Sequence, residues 1–289
     1  MTSVGTQFWV IQAFNGVSYG ALLFLVASGL SLIFGVMRIV NLSHGAYFLL
    51  GGYVALSVIG RTGSWALSIP VAALAIAGVG LLMERLFLRR LGFDPLRQVL
   101  LTVGFAFLFQ QAALDIWGGN NMDINPPDAL TRSVVVGGVF FPLYRVFMIG
   151  TALAIGGVLW LAMEKTRMGA AVRATVDDAE MARGVGIDTA RISMFIFALG
   201  AFMAALGGVI GGAFLGIYPG LDFEILPLAF AVVIIGGMGS LTGAAIGALA
   251  VGLADNFGKA LFPEISYFTL YAPMVLILAV KPTGLFGRE

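Results

Sequence analysis

The 289-residue chain has no cysteine, a single histidine (His44), and few charges: 16 basic and 15 acidic residues. Without cysteine there is no disulfide framework, no thiolate nucleophile and no Cys-ligated metal, and the chain carries no information about redox compartment. One histidine cannot build a metal site without acidic neighbours, and the nearest acid in sequence to His44 is Glu84. A formal net charge of +1, with no basic patch interleaved with aromatics, gives no reason to expect nucleic acid as a partner. No basic residue precedes Arg38, so the first apolar run lacks the charged start of a cleavable leader and is expected to stay in the membrane.

What the chain has in abundance is apolar surface. It is 60% hydrophobic with a mean hydropathy of +1.00. Apolar runs of about 18 or more residues recur along it, each long enough to cross a hydrocarbon core of roughly 30 Å as a helix. The runs are continuous, not alternating, which excludes a β-barrel. The expected fold is an all-α polytopic membrane protein, a single domain over 1–289 with roughly 8–9 transmembrane or half-membrane helices. Spans are predicted at 13–37, 41–60, 65–84, 96–117, 143–163, 192–214, 222–238, 240–256 and 266–280. The stretch 222–256 reads equally as one broken span, two short ones or a re-entrant pair.

Lysine and arginine set the orientation. With the N-terminus outside and nine crossings, Arg38, Arg85, Arg89, Arg90, Arg97, Lys165, Arg167, Arg173, Arg183, Arg191, Lys281 and Arg288 fall inside. Only Arg61, Arg132, Arg145 and Lys259 fall outside. The loop 118–142 is then extracytoplasmic, and the polar segment 164–191 is cytoplasmic.

The 40 glycines are far above average usage. Gly200, Ala204, Gly208, Gly212 and Gly216 repeat every fourth residue, as do Gly239, Gly243 and Gly247. Small residues at this spacing let helices approach closely. They serve packing within the subunit, a subunit interface or a moving seam. Glycine also permits broken helices of the kind that expose backbone dipoles in transporters. No internal repeat is readable.

All 15 acidic residues read as loop or span-end residues, with Glu84, Asp115, Asp222, Glu224 and Asp255 marking ends. A buried carboxylate is the usual ion carrier of a secondary transporter, so its absence points to another energy source. The segment Glu164–Arg191 holds ten of the charged residues in about a tenth of the length. Asp177 and Glu180 resemble a capping box, and Gly184 or Gly186 offers a stop. A short helix over about 178–185 is predicted, too small to fold without docking on this protein or on a partner.

Several motifs are set aside. Gly258-Lys259 lacks the rest of a P-loop, and GGMGSLTG (236–243) misses the last glycine of a dinucleotide fingerprint. Gly16-Val17-Ser18-Tyr19-Gly20 matches a nucleophile elbow but lies inside an apolar helical run. It reads as a packing motif, with an intramembrane serine hydrolase using Ser18 and His44 as the enzyme alternative. Asn41, Ser43 and His44 fix the turn between the first two spans or take part in an inner gate. Gln110, Gln111 and Asp115 line a polar path or hydrogen-bond between helices.

The pattern Gly169-x-x-x-Arg173-Ala174 followed by Asp178-x-x-x-Ala182-x-x-x-Gly186-Ile187 resembles the coupling loop of ABC importer permeases. GLSLIFGVMRIVNLSHGAYFLLGGYVA (29–55), GGMGSLTGAAIGA (236–248) and KPTGLFG (281–287) are similar to the terminal signatures of the branched-chain amino acid permeases. The length resembles the shorter of that family's two permease subunits. The resemblance implies a non-catalytic subunit in the bacterial inner membrane. It also implies a second homologous permease, two cytoplasmic P-loop ATPases holding ATP and Mg²⁺, and an extracytoplasmic binding protein. No cofactor or metal is expected in this chain. Residues 173–187 would insert into the ATPase, with Met181 and Ala182 as apolar contacts and Arg173, Asp178 and Arg183 as polar ones. Leucine, isoleucine and valine are the implied substrates, with other amino acids, urea, amides and small organic acids carried by relatives. The alternative is an ATPase-independent carrier or facilitator.

Overall fold

The computed structural model describes residues 2–92 and 94–287. Its first half contains α1 (Thr2–Met37), α2 (His44–Thr62), α3 (Trp65–Leu86), α4 (Pro95–Trp117), α5 (Asp128–Thr131) and the hairpin β1 (Ser133–Val136) with β2 (Val139–Pro142). Then come α6 (Leu143–Lys165), α7 (Arg167–Asp177), α8 (Ala179–Gly184), α9 (Thr189–Leu215), α10 (Leu221–Gly236), α11 (Leu241–Leu261) and α12 (Ser266–Val280).

Six helical stretches are long and apolar enough to cross a membrane alone: Gly5–Met37, Trp65–Leu91, Pro95–Trp117, Leu143–Lys165, Thr189–Leu215 and Leu241–Leu261. The shorter α2, α10 and α12 complete the bundle among the described residues. The stretch 222–256 is therefore two helices. Gly237 (φ 100°) and Gly239 (φ 81°) make the turn between them, a backbone that side chains rarely adopt. At 36 residues α1 is about 54 Å long. It begins well before residue 13, because the helix continues outward past the apolar stretch.

Helix α1 is the centre of the bundle, packed on α6, α9, α10 and α11. Between membrane helices there is no hydrophobic drive, so close backbone approach supplies the attraction. A Cβ placed on Gly29 would sit 2.7 Å from the Gly200 carbonyl oxygen, and one on Gly20 2.7 Å from that of Ala248. The predicted glycine ridges are spent on such internal contacts. Gly200 meets Ile33 of α1, Gly208 meets the Phe48 backbone of α2, and Gly212 meets Ile124 and Ile217. Gly239 rests on Gly35, while Gly243 and Gly247 lie against the backbone of α10.

A repeat invisible in the sequence appears in the packing. Helix α1 lies on α11 as α9 lies on α3; α10 lies on α1 as α2 lies on α9. Likewise α2 packs on α3 and α4 as α10 packs on α11 and α12. Gly29 meets Gly200 while Leu22 meets Gly211, so α1 and α9 run in opposite directions. The run α1–α4 thus recurs upside down as α9–α12, an inverted repeat of the kind that builds many transporters.

The contacts of Gly239 with Gly35 and of Gly237 with Gly287 gather the end of α1, the α10–α11 turn and the C-terminal segment on one face. The chain's cations concentrate there, although Arg288 lies outside the described residues. At the opposite end Met122 and Ile217 exchange backbone hydrogen bonds of 2.9 and 2.7 Å. There Arg145 donates to the Asn15 side chain and lies 5.0 Å over the Phe214 ring.

Gly29→Leu should overpack the α1–α9 contact at a cost of roughly 1–3 kcal/mol, while Gly150→Leu, with nothing within 4 Å of its Cβ, should cost little. Thermal unfolding in detergent checks this: only the first variant should melt measurably earlier.

Candidate functional site

After α1 the chain does not stay at the inner face. Arg38 takes a left-handed φ of 54°, and residues 38–43 run back into the bundle. The Leu42 N–H donates to Thr102 Oγ1 at 3.2 Å. Thr102 lies two turns into α4, about 10 Å beyond its start. His44 Nε2 donates to the Val26 carbonyl at 3.0 Å, three turns or roughly 16 Å before the end of α1. Helix α2 therefore starts inside the membrane.

The inverted counterpart does the same. Past Leu215 the chain turns at Gly216 (φ 76°), and Ile217 folds back against Gly52 and Gly212. Gly220 (φ 105°) then begins α10. The two half-way starts touch: a Cβ on Gly45 would lie 3.1 Å from the Asp222 carbonyl carbon and 3.1 Å from Leu226 Cβ. Glycine at 45 is what lets the first turn of α10 lie directly on that of α2.

Polar side chains are buried near each of these two starts. Asn41, Ser43 and His44 are fully buried, and Asp222 is 2% exposed. Asn41 Oδ1 accepts from the Ser43 N–H (3.1 Å) and hydroxyl (2.7 Å). Ser43 makes no side-chain cap at the start of α2, and the His44 N–H donates to the Asn41 carbonyl at 3.4 Å. A carbonyl only accepts, so His44 Nε2 carries the proton and Nδ1 presents a lone pair. Asn41 Nδ2, His44 Nδ1 and Asp222 Oδ1 are buried without hydrogen-bond partners. The expectation that no acid lies within the membrane is corrected here. Asp222 does, because α10 begins inside the fold and not at its edge. Glu84 is likewise buried, at 3% exposure. Gln111 and Asp115 instead pair with each other at 2.9 Å on the exposed face of α4, beside the half-buried Gln110.

The cytoplasmic segment holds two helices where one was predicted. Gly169, Val172 and Thr175 form the buried face of α7. Gly169 sits against the Ala162 and Met163 carbonyls, and Arg173 donates to the Met163 carbonyl beside Glu164. These residues fix the corner between α6 and α7. Asp178, not Asp177, caps α8, accepting from Glu180 and Met181 N–H at 2.9 Å each; the Ala174 carbonyl accepts from the Asp178 N–H. Gly186 (φ 88°) closes α8, and the Ile187 N–H donates to the Ala182 carbonyl. Ala182 is 3% exposed and turns inward, whereas Met181 (65%) and Val185 (71%) point out between Glu180 and Arg183. Val185, not Ala182, is the apolar residue exposed beside Met181.

Ser18 and His44 are not brought together. Ser18 donates to Phe14 O at 2.7 Å within its own helix, and His44 is tied to Val26.

Two broken helices meeting inside an inverted repeat, with an apolar tip displayed on the cation-rich face, define a multi-pass transport permease. The chain belongs to the family of branched-chain amino acid transport system permease components, whose model matches residues 12–278. It is 32% identical over 97% of its length to the high-affinity branched-chain amino acid transport system permease protein LivH of Escherichia coli, covering 96% of that protein. It is 27% identical to the corresponding protein BraD of Pseudomonas aeruginosa, over 96% of this chain and 95% of that one. It is also 29% identical over 55% of its length to the autoinducer 2 import system permease protein LsrC of Yersinia pestis, covering 46% of that protein. No solved structure matches the chain.

Asp178→Ala should remove a cap contributing about 1 kcal/mol. Hydrogen exchange should then quicken over 179–184 while α7 keeps its protection.

Proposed function

We propose that this subunit forms part of the membrane path of an ATP-driven importer for branched-chain amino acids, in the bacterial inner membrane. A second, homologous permease would complete the path. Two cytoplasmic P-loop ATPases, holding ATP and Mg²⁺, would drive it, and an extracytoplasmic binding protein would deliver substrate. The names of the relatives support the substrate class. The observation that carries the mechanism is the exposed tip of α8.

Met181 and Val185 are apolar, exposed and one turn apart. Met181 lies on a helix of six residues, too short to stand alone, and Val185 is its C-terminal cap residue. Its base is clamped by the Asp178 cap, by the Ile187-to-Ala182 hydrogen bond and by α7, which packs on α1, α6 and α9. A push on the tip is therefore delivered to the central helices of both halves of the inverted repeat. Closure of two ATPases on ATP would supply that push and tip the bundle between inward and outward openings.

The buried Asp222 removes one argument against an ATPase-independent carrier. That reading leaves the exposed apolar tip unexplained.

Met181→Asp with Val185→Asp should abolish co-purification of the ATPase from gently solubilised membranes, since each places a charge in an apolar contact. Recovery of the ATPase at normal yield with this variant would count against the coupling role. So would recovery of the unaltered chain alone under conditions that preserve a known complex.

A further inference from the structure

Helix α6 is held differently at its two ends and in between. At the outer end Arg145 donates to the Asn15 side chain of α1 and lies 5.0 Å over the Phe214 ring of α9. Beside it the Tyr144 hydroxyl donates to the Ile210 carbonyl at 2.6 Å, and Phe147 meets Trp65 of α3 with ring centroids 5.5 Å apart. At the inner end α6 is joined to α7: the Thr166 hydroxyl accepts from the Gly169 N–H at 3.0 Å, and Arg173 donates to the Met163 carbonyl. Between the ends only Met148, Ala152 and Leu159 are buried, a single narrow stripe. From its middle inward α6 stands off from α9. The groove between them, of about 270 Å³, is lined only by apolar residues, among them Ile155 and Val158 of α6 and Leu199 and Phe202 of α9.

We propose that α6 is the lever of the transport cycle, and that Arg145 is the positioning residue that fixes its outer end as the pivot. This rests on the importer reading and adds the residue about which the coupling motion turns. Arg145 makes no ion pair among the described residues. Its side chain instead touches both α1 and α9, the leading helices of the two halves of the inverted repeat. A cation–π attraction needs the cation within about 6 Å over the ring and not one bond angle, so it survives a small tilt. Arg145 and Lys165 lie about 30 Å apart along the helix, so a tilt of about 8° carries the inner end about 4 Å. A push on α8 passes through α7 to that inner end and swings α6 toward α9, closing the groove. The outer ends of α1, α6 and α9 stay together throughout.

The test uses the full complex in proteoliposomes, with ATP at the ATPase side and binding protein loaded with radiolabelled leucine at the other. This chain has no cysteine to compete with engineered pairs. Val158→Cys with Phe202→Cys spans the groove, and Trp65→Cys with Phe147→Cys joins the outer ends of α3 and α6. Each pair is bridged with a short bis-methanethiosulfonate, confirmed by mass, and then released with reductant. Bridging the groove should cut leucine uptake at least about tenfold, reversibly, whereas bridging the outer pair should leave it within about twofold. Undiminished uptake with the groove bridged overturns the proposal. So does uptake lost on bridging the outer pair and regained on release. If the paired substitutions impair assembly, Arg145→Met decides, since it keeps the stem and removes the donor and the charge. Leucine taken up per ATP hydrolysed should fall at least about fivefold, because hydrolysis continues while the pivot slips. A merely structural loss lowers hydrolysis and uptake together, so an unchanged ratio overturns the role of Arg145. Failure of the importer reading looks different: the unaltered complex itself would take up leucine without ATP.

Discussion

A backbone amide or carbonyl in hydrocarbon must be hydrogen-bonded or shielded by protein. That constraint decides where this chain can stop being helical. It stops twice within the membrane, before α2 and before α10. Thr102 of α4 and the Val26 carbonyl of α1 hydrogen-bond the first, and Gly52 of α2 and Gly212 of α9 lie against Ile217 in the second. The breaks are possible because the helices around them approach closely enough to exclude lipid. Glycine makes that approach possible, at Gly29 against Gly200 and at Gly45 against Asp222.

From this follows a division of labour. The antiparallel core of α1 and α9 is tightly fitted, with Ile33, Val209 and Ile210 wholly buried. It acts as a frame. The half-helices α2 and α10 lie on that frame and meet where Gly45 rests on the Asp222 backbone and Leu226. Helices α7 and α8 connect the frame to the cytoplasm, so motion imposed there reaches both halves together.

The sequence made the oily parts legible and the inward turns illegible. Long apolar runs and the placement of arginine gave the order of the membrane helices, the cytoplasmic island and the outer loop. The ridge Gly200, Gly208, Gly212 pointed to packing because its period matches one helix face. The start of α2 carries no such signal, since residues 38–43 look like an ordinary connecting loop. Asp222 read as a span end for the same reason: composition gives the length of a helix but not its depth. The inverted repeat left no trace in residue identity, because packing constrains size and direction more than chemistry. Helix α7 was missed because its charges masked a buried face of only three residues, Gly169, Val172 and Thr175.

The central claim is that a push on α8 tips the bundle between two openings as ATP is bound and hydrolysed, moving the outer end of α2 relative to the inner end of α10. The absence of cysteine allows it to be tested by placing spin labels at Gly60→Cys, on the outer turn of α2, and Met238→Cys, just past α10. Both positions are exposed. Pulsed electron–electron distance measurements on the full complex, free of nucleotide and then trapped with ATP, would report the separation. The account predicts a displaced or second distance population on trapping. One unchanged population in both states would contradict it.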